Sequence, residues 1–163
     1  MARSLPSPSA RLIGLISDTH GLVRPGVFDA LSGVDQILHA GDVGEGVLDE
    51  LTTIAPVRAV LGNTDPPGTP GLEPSIELTV DGVRIHVSHG HEIGSPTPQR
   101  LLERYDADVI VYGHTHRQLV TRAAGRLVIN PGAAGHRRFE LTPSVARLTI
   151  ANGTADVQLV PLD

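Results

Sequence analysis

The sequence predicts an α/β chain in which mixed β-sheets pack as a sandwich flanked by helices. Three observations predict it. The first third alternates strand, helix, strand, helix, strand, which favours a layer with a parallel central sheet. The last third reads as paired strands joined at turn residues. Between them, short polar clusters rich in Asp, Asn and His recur where strands should end.

Residues 12–16 are short and apolar and end at polar residues, which predicts a buried strand. Residues 27–31 suit a short helix, and 36–39 suit the next strand. Residues 45–54 carry Val47, Leu48, Leu51 and Ile54 at helical spacing and stop before Pro56. Residues 57–61 give a third strand, and the Pro/Gly-rich stretch 66–74 reads as a loop. Residues 76–80 and 83–88 flank Asp81-Gly82, a strong hairpin signal. A helix over 99–105 and a strand over 109–112 follow. Strand pairs are predicted at 118–122 with 127–129, and at 145–150 with 155–160. No internal repeat or linker divides the chain, so residues 11–163 are expected to form one domain, preceded by a disordered tail over 1–10.

Composition narrows the function classes. The 163 residues include no Cys, which removes disulfides, thiolate metal sites and a thiol nucleophile, and makes a cytoplasmic address the default. The absence of Lys removes a Schiff-base lysine. A net charge of -5 gives no basic footprint for duplex binding. Two Tyr, two Phe and no Trp leave little for stacking single-stranded nucleic acid, and they require an aliphatic core. The longest apolar runs are far short of the ~20 residues of a membrane helix, and the N-terminus lacks the apolar stretch of a signal peptide. The oligomeric state stays open, with a homo-oligomer among the options.

The clusters are Asp18-Thr19-His20, Gly41-Asp42, Gly62-Asn63-Thr64-Asp65, Ser88-His89-Gly90-His91 and Gly113-His114-Thr115-His116. Each alone has an ordinary explanation: a cap or turn Asp, a turn Asn, a surface His. Five in order, all at strand ends, point to one site, because ligands of open α/β sheets bind outside the carboxyl ends of strands. Oxygen and imidazole donors suit Mn²⁺, Fe or Zn²⁺.

The series resembles the calcineurin-like metallophosphoesterase superfamily, and within it the small bacterial and archaeal phosphodiesterases. The resemblance runs through nearly the whole chain after residue 10, and extends to Ile129-Asn130-Pro131-Gly132 and Gly135-His136-Arg137-Arg138-Phe139. It implies the calcineurin-like metallophosphatase fold and a site for two divalent ions, Mn²⁺ first, with Fe, Ni or Zn²⁺ as alternatives. Asp18, His20 and His116 would hold one ion, Asn63, His89 and His114 the other, and Asp42 would bridge. The implied activity is that of a phosphodiesterase acting on a small phosphate ester, with a bridging hydroxide attacking phosphorus in line. The alternatives are a phosphomonoesterase or nucleotidase on the same ions, and a non-catalytic interaction module, since a retromer coat subunit shares the fold.

The candidate catalytic residues are Asp42, Asn63, His89 and His39, the last placed to orient a ligand. Asp65 is expected to hydrogen-bond a ligating His, and His91 either supports the ligands or is exposed. His86 is expected to be structural, and Arg137 and Arg138 to be a solvated pair. Thr64 stands where many superfamily members carry a His that helps protonate the leaving group, and His136 stands where relatives often show Pro. Residues 66–74 and 92–98, Pro/Gly-rich and next to ligand clusters, are candidate cleft walls.

Overall fold

A computed structural model of the chain describes residues 10–137 and 140–162. The expected tail lies outside them except for Ala10, as does Arg138 of the arginine pair. Two sheets stack face to face. The first has six strands in the order β11-β10-β1-β2-β3-β4 and the second five in the order β5-β6-β7-β9-β8.

In the first sheet β1 (Arg11–Ile16), β2 (Gln36–His39), β3 (Val57–Val60) and β4 (Leu72–Glu73) run parallel, while β10 (Ser144–Ala151) and β11 (Thr154–Pro161) add an antiparallel flank. In the second, β6 (Val83–Val87), β7 (Val109–Val111) and β9 (Arg126–Asn130) are parallel, and β5 (Ile76–Val80) and β8 (Leu119–Ala123) close the two edges antiparallel. The parallel strands of both sheets deliver their C-terminal ends to the polar loops that follow them. This arrangement positions the site.

Alternation decides which core each strand serves. Ile13, Leu15, Leu38 and Val60 of the first sheet meet Ile76, Ile85, Val87, Val109 and Ile129 of the second in the sandwich interior. The other face of the first sheet, with Ile16, Ile37 and Ala59, packs under α1 (Gly26–Ala30) and α2 (Val47–Leu51) through Val27, Leu31, Val47 and Leu51. The outer face of the second sheet, Ile110, Tyr112 and Val128, packs under α3 (Pro98–Arg104) through Leu101. Because β1, β2, β7 and β9 are covered on both faces, they read as continuous apolar runs in the sequence.

The helices are short, and of the three only α3 has a side-chain N-cap. Thr97 accepts the Arg100 backbone NH ahead of Pro98 at the start of α3. At its other end Arg126 donates to the Leu102, Tyr105 and Ala107 carbonyls. The helix predicted over 45–54 is regular only over Val47–Leu51. Thr52 and Thr53 turn their hydroxyls back onto the Asp49 and Glu50 carbonyls, and residues 52–55 continue as turns.

The loop predicted over 66–74 contains β4. This two-residue strand pairs Leu72 and Glu73 with Ala59 and Val60. It is secured by the Leu61 NH on the Glu73 carbonyl at 2.8 Å and by a 2.7 Å Arg58–Glu73 ion pair. A strand this short leaves no periodic signature in a Pro/Gly-rich segment. Among the described residues no helix is long and apolar enough to cross a membrane.

Candidate metal centre

The site forms where the C-terminal ends of β1, β2 and β3 meet those of β6 and β7. Backbone ladders continue past the strands and lock the loops together. Asp18 NH donates to the Gly41 carbonyl at 3.0 Å, His20 NH to that of Asp42 at 2.9 Å and Gly21 NH to that of Val43 at 2.8 Å. In the second sheet Gly113 NH reaches the His89 carbonyl at 3.0 Å.

The polar clusters also force unusual backbone. Asp18, His20, Asp42, His114 and His116 all have positive φ, between 47 and 71°. The other non-glycine residues with positive φ among those described, Asp81, Ala124 and Asn152, lie in hairpin turns. Left-handed conformations cost a non-glycine residue roughly 1–2 kcal/mol. Five in one place mark a geometry held by its surroundings for a purpose other than stability.

Two glycines are required by close approach. A Cβ on Gly62 would lie 2.1 Å from the Asp42 backbone nitrogen, and one on Gly113 would lie 2.0 Å from Ser17 Oγ and 2.6 Å from Asp18 Oδ2. The Gly-Asn and Gly-His pairs of the sequence thus exist because the loops touch.

All seven predicted ligands converge. Asp18 Oδ1 is 3.3 Å from His116 Nε2, 3.8 Å from His89 Nε2 and 3.9 Å from His20 Nε2. Asp42 Oδ2 is 3.2 Å from His89 Nε2 and 3.7 Å from His20 Nε2. Asn63 Oδ1 lies 3.0 Å from His89 Nε2 and 3.1 Å from His114 Nδ1. Asp18, His20 and His116 each offer a donor atom within 4.8 Å of the others, and so do Asp18, Asp42 and His89. Asp18 belongs to both groups, and Asp42 Oδ2 lies near His20 of the first as well as His89 of the second.

The surroundings aim these atoms. Asp18 Oδ2 accepts the Ser17 hydroxyl at 2.6 Å and the His114 NH at 3.1 Å, whereas Oδ1 is buried and accepts no hydrogen bond among the described residues. His89 Nδ1 donates to the Ala40 carbonyl at 2.7 Å, which aims Nε2 at Asp42 and Asn63; protonated, Nε2 donates to Asp42, and on losing that proton it would be the ring's free ligand atom. Burial works against ionisation of Asp42. Hydrogen bonds from His89 and the Thr64 backbone nevertheless hold its carboxyl well below the usual range. Burial also works against protonation of His89, yet Asp42 and Asp18 raise its pKa. At His114 burial and the neighbouring His89 lower it. Asp18 and Asp42 are both buried, and among the described residues neither has an arginine partner. Two carboxylates held this way call for positive charge. The donor set, the orphaned Asp18 Oδ1 and this charge deficit fit hard or borderline divalent ions.

Three expectations are corrected or completed by the geometry. Asp65 does not bond a ligating His: its buried carboxylate accepts the NH groups of Val43, Gly44 and Gly62 at 2.9–3.2 Å and so ties the loop after β2 to the loop after β3. His39 is fully buried and does not reach the converging donors. Gly41 NH donates to its Nδ1 at 3.1 Å, which fixes Nε2 as the donor to Thr19 Oγ1 at 2.9 Å. It braces the backbone beside Asp18, His20 and Asp42, and a place among the reacting groups is corrected to this one. His91 is at the rim, with its ring 5.3 Å from His89 and 6.3 Å from His114.

His86 is buried against Tyr105, stacked at 3.8 Å, and 3.1 Å from Glu77. His136 and Arg137 are exposed and border a shallow cleft with His116. Of the candidate walls, Pro66, Thr69 and Leu72 line a cavity beside Val43, and Pro96 packs over Gly90 between His89 and His91.

The sequence reading gave Ser17, Thr19 and Asn130 no role. Thr19 Oγ1 donates to the Val43 carbonyl at 2.7 Å, and Asn130 joins the Gly113 carbonyl and the Thr115 hydroxyl. Their adjacency to Asp18 and to the strand end of β9 was the available signal.

A family model for the calcineurin-like phosphoesterase superfamily domain matches residues 12–153. The chain belongs to that superfamily. A probable metallophosphoesterase of Methanothermobacter thermautotrophicus is 34% identical over 160 residues, covering 91% of each chain. A phosphodiesterase of Methanocaldococcus jannaschii is 27% identical over 74% of this chain and 82% of its own. The crystal structure of Chaetomium thermophilum Vps29 superposes with a TM-score of 0.77 at 23% identity, over 93% of this chain and 97% of that one, a likeness of fold.

Proposed function

We propose that the chain is a dinuclear-metal-dependent phosphodiesterase. Asp18, His20 and His116 hold one divalent ion, Asn63, His89 and His114 the second, and Asp42 stands between them. Mn²⁺ is the first choice, with Fe, Ni or Zn²⁺ as alternatives. The observation that carries this reading is Asp42 Oδ2, within 3.2 Å of His89 Nε2 and 3.7 Å of His20 Nε2, where one carboxylate serves both donor groups. When bound, paired divalent ions supply a lowered water pKa and neutralise charge on phosphoryl oxygens.

The chain's own residues supply placement. Ser17 and the His114 NH fix one Asp18 oxygen and turn the other inward. The Ala40 carbonyl sets the His89 tautomer. Thr64, exposed at the position of the frequent His, gives its backbone NH to Asp42 Oδ1 at 2.9 Å and carries no group that titrates near neutrality. The reading therefore favours small esters whose leaving group departs without a strong proton donor, such as an aryl oxide. A cytoplasmic setting belongs to the same proposal and is supported by the absence of cysteine.

The test compares turnover of an aryl phosphodiester and the matching monoester by the Mn²⁺-loaded protein. Faster diester cleavage is expected; faster monoester cleavage would make the chain a phosphomonoesterase. The fold likeness to Vps29 keeps a protein-interaction module as the second reading. Metal binding with no hydrolysis across a panel of esters would favour it.

A further inference from the structure

We propose that Glu92, held by Tyr105, is a positioning residue that sets the affinity of the second ion through the peptide joining His89 to Gly90. This inference rests on the paired-ion reading above. Two ligands assigned to that ion, His89 and His114, come from the loops after β6 and β7, and their rings lie 5.2 Å apart. The peptide that follows His89 is held at both of its polar atoms. Its carbonyl accepts the Gly113 NH at 3.0 Å, and its NH, which belongs to Gly90, donates to Glu92 Oε1 at 2.9 Å. A peptide unit is planar, so bonds on its two edges fix its rotation and with it the direction in which His89 leaves the chain. Gly113 also directly precedes His114, so the same plane couples both imidazoles.

Glu92 needs help to stay in this place. Its side chain is 30% exposed and reaches back only two residues, and a free glutamate samples many rotamers. The help comes from Tyr105, whose hydroxyl donates to the other carboxylate oxygen, Oε2, at 2.7 Å. Tyr105 is fixed in turn. It caps the C-terminal end of α3, its ring stacks on His86 at 3.8 Å, and Glu77 lies 3.1 Å from His86 Nδ1. Burial works against ionisation of Glu92, yet the Tyr105 hydroxyl and nearby backbone NH groups hold its carboxyl below the usual range. The outer face of the second sheet thus bears on the ligand loop through one carboxylate.

The loop transmits this hold because it is packed. Gly90 has φ +105°, and a Cβ there would lie 3.1 Å from Pro96 and 3.5 Å from Tyr112. The first ion depends on other bonds. Asp18 is set by Ser17 and the Gly41 carbonyl, and His20 by the Asp42 carbonyl. Loss of the Glu92 brace therefore falls on one ion of the pair.

Calorimetric titration of the full chain with Mn²⁺ reads the two binding steps, with His20→Ala marking the step of the first ion and His114→Ala that of the second. Glu92→Ala is expected to weaken the second step about tenfold, the lower end for a group that orients a ligand, and to leave the first unchanged. Tyr105→Phe removes one hydroxyl, keeps the ring on His86, and keeps the test open if Glu92→Ala fails to fold. It is expected to weaken the same step by a smaller factor. Glu92→Gln offers an acceptor to the Gly90 NH and a donor to the Tyr105 oxygen, and is expected to restore most of the affinity. Urea midpoints of the metal-free variants separate this role from a purely structural one. Both Mn²⁺ steps intact in Glu92→Ala and Tyr105→Phe, with or without a lowered midpoint, would overturn the inference, as would equal weakening of the two steps. A single Mn²⁺ per wild-type chain, weakened alike by His114→Ala and Glu92→Ala, would uphold the brace and overturn the paired-ion reading.

Discussion

Asp18 and His114 lie ninety-six residues apart, yet Asp18 Oδ2 accepts the His114 backbone NH at 3.1 Å. The bond joins the loop after β1 to the loop after β7 and so ties the two sheets at the site. It also divides the labour of one carboxylate, since Oδ1 is left to face His116 and His89.

Asp18→Asn separates these duties poorly, because an amide has one acceptor oxygen and one donor nitrogen. Whichever way it turns, an NH₂ group meets either the His114 NH or the converging ligands. Affinity for Mn²⁺ is expected to fall at least tenfold, in the range known for disturbed metal surroundings. Stability is expected to fall by about 1–3 kcal/mol from a buried unsatisfied group. Calorimetric titration and urea unfolding read the two effects. Wild-type affinity in the variant would remove Asp18 from the ligand set.

Gly62→Ala tests whether loop contact, rather than backbone freedom, demands the glycine. The added methyl would be 2.1 Å from the Asp42 nitrogen, and Gly62 has no positive φ. A loss of roughly 1–3 kcal/mol by overpacking is expected, with Mn²⁺ affinity reduced as Asp42 moves. Gly33→Ala is the contrast. At φ +79° with nothing within 4 Å, it is expected to cost about 1 kcal/mol and leave metal affinity unchanged. Equal metal affinity in both variants would contradict the account.

His39 makes stability depend on pH. Burial lowers its pKa from 6.5 to about 4, against the pull of Asp18 and Asp65. Between those values the unfolded chain takes up a proton that the folded chain refuses. The His39 contribution is therefore complete above pH 6.5 and is lost as pH falls towards 4, by up to roughly 3 kcal/mol. His39→Gln keeps a donor and an acceptor without titrating. Urea midpoints at pH 7 and pH 5 are expected to differ less in this variant than in wild type. Equal differences would show that His39 is protonated in the folded state or does not titrate in this window.

These predictions use features that were legible in the sequence to different degrees. The strand ends were legible because each apolar run stops at Asp, Asn or His, and parallel strands bring such ends to one edge. The candidate ligand residues could be picked out because oxygen and imidazole donors are scarce inside an aliphatic core, and the fold brings these side chains together. The partners of Asp65 and His39 were not, since a buried carboxylate can satisfy itself with any NH that tertiary packing brings near. Asp65 finds the Val43 and Gly44 backbone more than twenty residues away, and His39 finds Thr19 at a separation of twenty. β4 was hidden for a related reason: its two residues become a strand only because β3 offers an edge.

Asp42→Asn should leave the fold standing, because the amide can still accept the Thr64 NH. It removes the negative charge shared by both donor groups. Turnover of an aryl phosphodiester is expected to drop by at least two orders of magnitude, as when one charge-stabilising group is taken from a site. Near-wild-type turnover would contradict the bridging role.

The central claim is a paired-metal site built by these seven side chains, and electron paramagnetic resonance of the Mn²⁺-loaded protein tests it most directly. Two Mn²⁺ ions held by these residues at the roughly 3.5–4 Å usual for two-metal sites would be exchange-coupled. The account predicts two Mn²⁺ per chain with a coupled multiline spectrum, lost in Asp42→Asn. One Mn²⁺ per chain with the six-line signal of an isolated ion would contradict it.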